Sequence, residues 1–373
     1  MRETLRRLAS KQTLATWLDR TGAGDALVRA RRWGTPWLTA VTYHRIGPPD
    51  DAGALDPETF DARAEQFERQ IRYLREHHTP VSLSDLRRYL DGASLPPNPV
   101  FVSFDDGYRE CLTTARPILD RYGVKATFFV ATAFTEDRRL PWWDRLALLI
   151  RRRREPIVDL ERPYPMRIDL RDEEGARQGL LVLIKTHYGL DLEGFLADLG
   201  RAAGARLPRD EERALVDRHL CTWDELRALK AAGHDLQSHT HTHRVLHTLA
   251  PDALREELAR SQAILTERVG GPVDAIAYPV GYPVGGAHRI RRALAATGYR
   301  LGFSNNSGAN AWGRRPDRFD IRRVAADASV SDAWFRSFMA LPPLAYRRLE
   351  PHGAPSFAAA TVPAPMDAAP EAE

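Results

Sequence analysis

Short, continuous apolar segments recur along this chain, and stretches with helical spacing separate them, most clearly at residues 58–77, 251–268 and 287–297. Apolar runs of this length are typical of strands that are covered on both faces. The alternation of such strands with helices predicts a parallel α/β architecture, with the reactive groups at the carboxyl ends of the strands. The candidate strands are residues 37–43, 100–104, 126–130, 234–238, 273–278, 300–303 and 321–324.

This rhythm is interrupted at about residues 135–220, where polar helical stretches, a Trp142–Trp143 pair and a run of arginines replace it. We interpret this part as an insertion. Residues 1–37 have the spacing of short amphipathic helices, and residues 38–348 are expected to form the main domain. Residues 349–373 are rich in Ala and Pro and have no periodic apolar face, which predicts disorder.

The charge of the chain is weakly basic, with a formal net charge of +4 and a pI of about 9.1. The densest basic run, residues 151–154, is either a solvated helix end or a contact for an anionic surface such as lipid head groups. No nucleic-acid-binding motif accompanies the charge, so we expect no DNA or RNA partner.

Two features of the sequence bear on its compartment. Cys111 and Cys221 are too few for a disulfide framework, and such sparse cysteine suits a reducing environment. The N-terminus lacks an apolar run of signal-peptide length, and nowhere do 18 consecutive apolar residues occur. We therefore expect a cytoplasmic protein for which peripheral membrane contact stays open. The oligomeric state does not follow from the sequence.

Two adjacent acids, Asp105 and Asp106, directly follow the candidate strand at residues 100–104. Buried carboxylates are costly unless a cation or hydrogen bonds compensate them, and strand ends are where α/β folds place reactive groups. The alternative is an ordinary turn, since Asp and the following Gly107 are common in turns.

Three alternate histidines, His239, His241 and His243, follow the candidate strand at residues 234–238. One turn of chain between His239 and His243 would let both imidazoles meet one ion. Two histidines with a carboxylate leave coordination positions open for water and substrate. We expect the His241 side chain to point away from such a site. A solvent-facing polar turn is the alternative interpretation.

A third segment, Ala277-Tyr278-Pro279-Val280-Gly281, closes another candidate strand. Pro and Gly fix a tight turn here, and such a turn can aim a backbone N–H at a developing oxyanion. An ordinary turn without a catalytic role would have the same sequence.

Together these motifs resemble those of the NodB-type polysaccharide deacetylases, carbohydrate esterase family four, over residues 38–340 apart from the insertion. The resemblance implies a distorted (β/α) barrel with fewer than eight regular βα units and an inserted helical subdomain. It also implies a divalent metal ion, with Zn²⁺ expected, held by Asp106, His239 and His243. Asp105 is then the catalytic base, and the backbone N–H of Val280 stabilises the oxyanion.

The sequence departs from that family at two positions. An arginine that orients the base often opens the third motif, but Ala277 stands there. Arg323, on a late candidate strand, is a possible replacement, with a surface arginine as the alternative. The family's C-terminal Leu-x-His motif, which provides a general acid, is absent. Tyr43–His44 instead matches a Tyr-His pair of permuted members, and we predict His44 as the acid, against a buried, hydrogen-bonded histidine.

The resemblance predicts removal of acetyl groups from N-acetylated sugars of a polysaccharide or a lipid-linked glycan. Exposed tryptophans would stack on the sugar rings of this acetylated glycan, whereas buried ones would belong to the core. Rival functions are a catalytically inactive carbohydrate-binding module and a two-histidine, one-carboxylate iron oxygenase. The side chains predicted to contact substrate are Tyr278, Pro279, Trp142, Trp143 and Arg323.

Overall fold

The computed structural model describes residues 13–34, 36–47, 55–305 and 310–342. The tail predicted at residues 349–373 lies outside these ranges, as do residues 1–12 of the predicted N-terminal helical segment. The strands are β1 Thr39–Tyr43, β2 Arg45–Ile46, β3 Phe60–Ala62, β4 Thr79–Pro80, β5 Pro99–Phe104, β6 Thr127–Val130, β7 Ile157–Leu160, β8 Met166–Asp169, β9 Asp235–Ser238, β10 Ala275–Ala277, β11 Leu301–Ser304, β12 Ile321–Arg322 and β13 Val324–Ala325. The α-helices are α1 Ala23–Arg31, α2 Ala64–His77, α3 Leu83–Leu90, α4 Arg116–Arg121, α5 Thr132–Glu136, α6 Trp142–Arg151, α7 Glu173–Thr186, α8 Leu192–Ala202, α9 Arg209–His219, α10 Trp223–Ala231, α11 Pro251–Val269, α12 His288–Thr297 and α13 Asp332–Ala340.

One parallel sheet forms the centre of the protein, in the order β12-β11-β10-β9-β6-β5-β1-β13, and β4 pairs beside β5. Only Arg323 separates the two edge strands, β12 and β13, in sequence. Residues 321–325 therefore join both edges and nearly close the sheet into a barrel. β12 and β13 act as halves of one strand, so the eight strands in this order make fewer than eight units. The prediction of a distorted barrel with fewer than eight regular units is confirmed.

The barrel strands bury apolar side chains on both faces. Phe303 meets Phe101 and Phe129 inside the barrel, with ring centroids 5.1 Å and 5.2 Å away. Phe104 and Phe128 stack at 4.9 Å on the opposite face, against the surrounding helices. Burial on both faces is the physical reason that these strands are continuous apolar runs in the sequence.

The chain leaves the barrel between β6 and β9. Helices α6–α9 and an antiparallel hairpin of β7 and β8 pack around a separate apolar cluster there. The sequence indicated helices in this insertion but not the hairpin. Each of its strands has only four residues and buries only alternate ones, a weak signal beside the long helical stretches.

The helix predicted at residues 58–77 begins later than expected. Residues 57–59 form a 3₁₀ turn, and β3 pairs with β2 before α2 starts at Ala64. This short pairing brings Asp61 beside His44, which the sequence did not foresee.

None of the helices in the described ranges combines the length and the apolar character that a membrane span requires.

Phe128→Ala should lower the free energy of unfolding by about 3–5 kcal/mol, because it opens a cavity between the sheet and its helices. The Phe128 ring is 1% exposed. Urea denaturation of the full chain measures this change. Tyr188→Ala, which removes a ring that is 57% exposed, is the matched control and should change stability by less than about 0.5 kcal/mol. Equal losses in the two variants would contradict the assigned core.

Candidate active site

Asp105 and Asp106 occupy the turn that follows β5. The Asp105 N–H donates to the Tyr43 carbonyl at 2.8 Å, which extends the pairing of β1 and β5 by one step. Asp106 then adopts a left-handed conformation with φ 74°, and Gly107 has φ 87°. This sharp change of direction leaves both carboxylates inside the barrel mouth, with 1% and 3% of their surface exposed.

His239 and His243 lie on the turn that follows β9. Thr240 and His243 have positive φ values of 67° and 56°, and the Thr240 hydroxyl accepts a hydrogen bond from the His243 N–H at 3.1 Å. His239 Nδ1 lies 2.9 Å from the Ala277 carbonyl, so it donates there and leaves Nε2 as the lone-pair nitrogen. His241 meets the Thr132 hydroxyl at 2.9 Å instead.

The structure brings the three predicted metal ligands together. One ligand atom each from Asp106, His239 and His243 lies within 4.8 Å of the others. The two Nε2 atoms are 3.1 Å apart, and they lie 3.4 Å and 3.5 Å from Asp106 Oδ1. That oxygen is buried and accepts no hydrogen bond from the described residues.

These three side chains fit a divalent cation. Burial, together with the neighbouring His239, lowers the pKa of His243 to about 3, so the imidazole is neutral and offers a lone pair. The three atoms that converge here all carry lone pairs, and no proton donor lies between them. A bound cation would compensate their mutual repulsion. A nitrogen, nitrogen and oxygen donor set suits Zn²⁺ and related ions.

Arg323 holds Asp105. Its guanidinium donates to both carboxylate oxygens, at 2.8 Å and 2.7 Å, and also to the hydroxyls of Thr42 and Ser103 at 3.1 Å. Arg323 is completely buried, so the surface alternative is wrong, whereas its contact with substrate stays a prediction. Burial alone would raise the pKa of Asp105, but the Arg323 guanidinium holds that pKa well below its usual range.

His44 lies at the same edge of the sheet, one residue beyond the Tyr43–Phe104 pair of β1 and β5. Its side chain is 24% exposed, and Nδ1 lies 2.9 Å from the carboxylate of Asp61. Burial disfavours the charged imidazole, but the attraction of Asp61 outweighs this and raises the pKa of His44 to about 10. The sequence does not indicate this role for Asp61, because residues 58–77 have helical spacing.

The tryptophan pair lies behind the metal ligands. Trp142 and Trp143 are 3% and 5% exposed and belong to the apolar cluster of the insertion, which favours the core interpretation over stacking on a sugar ring. The Trp143 ring centroid lies 4.4 Å from that of His243, and the Trp142 indole N–H donates to the His243 carbonyl at 3.2 Å. The insertion therefore supports the His243 ring by direct packing.

A buried network that the sequence did not predict continues from Trp143. Its indole N–H donates to the Tyr108 hydroxyl at 2.9 Å, and that hydroxyl donates to Asp144 at 2.8 Å. Burial raises the pKa of Asp144 to about 7. An acid within the apolar helix α6 was the signal that could have indicated a buried partner.

The turn after β10 contributes its backbone. The Tyr278 side chain is 1% exposed and its hydroxyl donates to the Phe319 carbonyl at 2.8 Å, so the predicted substrate contact of Tyr278 is wrong. Pro279 is buried as well, which leaves its ring without access to a substrate. Val280 has φ 62°, and the turn begins next to the carbonyl that binds His239. The role of the Val280 N–H remains a prediction.

Comparison with known proteins gives a family and several relatives. The polysaccharide deacetylase family model matches residues 92–161 and 195–302. The poly-beta-1,6-N-acetyl-D-glucosamine N-deacetylase of Staphylococcus epidermidis is 26% identical over 102 residues, which cover 25% of this chain and 35% of that protein. The protein of the same name from Escherichia coli K12 is 25% identical over 127 residues, covering 33% and 18%. The matched segment is thus about a third or less of the length of these curated relatives.

Two solved structures are similar in fold. Streptococcus pyogenes deacetylase PplD in complex with acetate has a TM-score of 0.52 and 20% identity, and the alignment covers 83% of this chain and 99% of that chain. IcaB from Ammonifex degensii has a TM-score of 0.50 and 18% identity, with coverage of 83% and 97%. The family match includes both the Asp105–Asp106 and the His239–His243 motifs, which confirms the resemblance inferred from the sequence. The chain therefore matches the polysaccharide deacetylase family over these two segments and shares the fold of the two solved deacetylases.

Proposed function

We propose that this protein is a metal-dependent deacetylase that removes acetyl groups from N-acetylated sugars of a glycan. The convergence of Asp106, His239 and His243 within 4.8 Å carries this proposal. It is supported by a second carboxylate, Asp105, which Arg323 keeps ionised beside them. A ligand set next to an ionised, oriented base is what hydrolysis by an activated water requires.

The names of the relatives support the choice of substrate. Two of them are poly-beta-1,6-N-acetyl-D-glucosamine N-deacetylases, so we propose a polymer or a lipid-linked precursor that contains N-acetylglucosamine. We also propose that the protein acts in the cytoplasm, where it would meet growing glycans before their export.

The chain's own residues divide the chemistry between them. Asp106, His239 and His243 would hold the divalent ion, which when bound polarises the acetamide carbonyl and lowers the pKa of water. Asp105 accepts the proton of the attacking water, because Arg323 leaves its carboxylate charged and fixes its direction.

The oxyanion and the leaving group have separate partners. The backbone N–H of Val280 donates to the oxyanion that forms on the acetamide carbonyl. His44, kept protonated by Asp61, gives a proton to the leaving amine.

Acetate release separates this proposal from its rivals. Metal-loaded protein incubated with N-acetylglucosamine oligomers should release acetate, and a chelator should stop the reaction. Asp106→Ala should lose both the metal and activity, whereas Asp105→Asn should keep the metal and lose about 10²- to 10⁴-fold in kcat.

Binding of oligomers without acetate release by the metal-loaded protein would instead indicate a carbohydrate-binding module. Turnover that consumes oxygen would indicate an iron oxygenase.

Arg323→Lys tests the role assigned to the buried guanidinium. Lysine keeps the charge but cannot donate to both carboxylate oxygens at once, so Asp105 loses its orientation. We expect kcat to fall about 10- to 100-fold with the metal content unchanged, because the ligands are not altered. Arg322→Lys, which alters the adjacent, partly exposed arginine, is the control and should behave as the unmodified protein. Unchanged kcat in Arg323→Lys would remove Arg323 from the mechanism.

Asp61→Asn tests His44 as the acid. Asp61 raises the pKa of His44, so its replacement lowers that pKa and the imidazole loses its proton at a lower pH. The basic limb of the pH profile of kcat should therefore move to lower pH. Asp159→Asn, on the exposed hairpin, should leave this limb in place. A basic limb that stays unmoved in Asp61→Asn would argue against His44 as the proton donor.

A further inference from the structure

Large apolar side chains that are exposed to solvent concentrate in one segment of the described chain. Leu14, Trp17, Leu27 and Trp33 all belong to residues 13–34, and they are 40%, 56%, 38% and 93% exposed. Trp312, at 64%, is a fifth. Two others among the described residues, Ile157 and Tyr188, lie in the insertion. A concentration of this kind marks an interaction surface more often than scattered apolar residues do.

We call these five side chains the basal surface, because residues 13–34, which carry four of them, and Trp312 contact the amino ends of barrel strands. Arg31 donates to the Trp37 carbonyl at 3.0 Å, just before β1 begins. The Asn98 side chain, just before β5, donates to the Val28 carbonyl at 2.6 Å. Trp312 lies 6.5 Å from Trp37, ring to ring. The basal surface is therefore at the opposite end of the parallel barrel from Asp105 and the metal ligands.

The segment that carries the basal surface is fixed to the barrel. Ala15, Leu18 and Val28 are buried beneath it. The Arg336 guanidinium of α13 pairs with Asp19 at 2.6 Å, and the Ser337 hydroxyl donates to the Ala15 carbonyl at 3.0 Å. Since one side of residues 13–34 is anchored in this way, the apolar side chains on the other side are held outward.

The exposed charged side chains of residues 13–34 are all positive. Arg20, Arg29 and Arg32 are exposed, whereas both acids of residues 13–34 are partly buried. Asp19 is paired with Arg336, and Asp25 accepts a hydrogen bond from the Tyr73 hydroxyl at 3.4 Å. Near Trp312, the side chains of residues 314 and 315 add two exposed arginines, and the acid at position 317 is paired with Arg291.

We propose that the basal surface docks on a bilayer that contains anionic lipid. Tryptophan favours the boundary between head groups and acyl chains, and arginines around it are attracted to anionic head groups. A second copy of the chain is the less suitable occupant, because it would present the same arginines and be repelled.

This docking would orient the proposed deacetylase, and to that extent the inference rests on the proposed function. With the basal surface on the bilayer, the metal ligands and Asp105 face away from the lipid. Sugar units some distance along a glycan, rather than the unit attached to the lipid, would then reach the site.

Vesicle co-sedimentation of the full chain tests the proposal. Phosphatidylcholine vesicles that contain phosphatidylglycerol should pull down the protein, with less binding at high salt, and pure phosphatidylcholine vesicles should not. The double variants Trp17→Ser/Trp33→Ser and Arg29→Glu/Arg32→Glu should each weaken binding by about 10-fold or more. Ile157→Ser/Tyr188→Ser, which alters the exposed apolar side chains of the insertion, is the matched control and should bind normally.

Two further measurements keep the outcomes distinct. Thermal unfolding should show that all variants are folded, and acetate release from a soluble oligomer should be unchanged in each, so that a failure of docking is separate from a failure of catalysis. Absence of binding to the anionic vesicles, or equal binding by the folded basal variants, would overturn the proposal. A dimer in light scattering that the tryptophan variant dissociates, with no vesicle binding, would overturn it in favour of self-association.

Discussion

The burial of two adjacent carboxylates is the constraint on which the catalytic end of this barrel depends. Asp105 and Asp106 are almost completely buried, and each needs a positive partner or hydrogen bonds to remain charged there. Asp105 receives two hydrogen bonds from Arg323. Asp106 instead faces two imidazole nitrogens, and one of its oxygens has no donor among the described residues. Two identical side chains thereby have different surroundings, which suit the roles that we propose for them, Asp105 as the base and Asp106 as a metal ligand.

The pairing of Arg323 with Asp105 also links the site to the closure of the barrel. Arg323 stands between β12 and β13, the short strands that join the two edges of the sheet. Its guanidinium crosses the interior to hydroxyls on β1 and β5 as well as to Asp105. Ala277 stands where the family often has an arginine that orients the base, and its methyl group cannot bind Asp105. Arg323 reaches the Asp105 carboxylate from the segment that closes the barrel, and so it meets the same electrostatic need from another direction.

The insertion and the basal surface are the two other parts of the molecule to which we assign a role. Trp143 packs on the ring of His243 and is itself held by Tyr108 and Asp144, so the insertion is part of the scaffold that orients the His243 imidazole. The basal surface lies at the other end of the strands, and its apolar and basic side chains serve no evident purpose in the barrel itself. The proposed chemistry and the proposed docking on a bilayer thus belong to different parts of the molecule.

The sequence by itself determined the positions of the barrel strands and the motifs around Asp105 and His239, because these depend on short-range patterns. Apolar runs reveal strands buried on both faces, and spacing reveals histidines that share a turn. Only the tertiary structure decided which distant groups meet: Arg323 reaches Asp105 across 218 positions, Asp61 reaches His44 through a short strand pairing, and Trp142 and Tyr278 are buried. Those outcomes depend on strand register and on how the barrel closes, which no local stretch of sequence encodes.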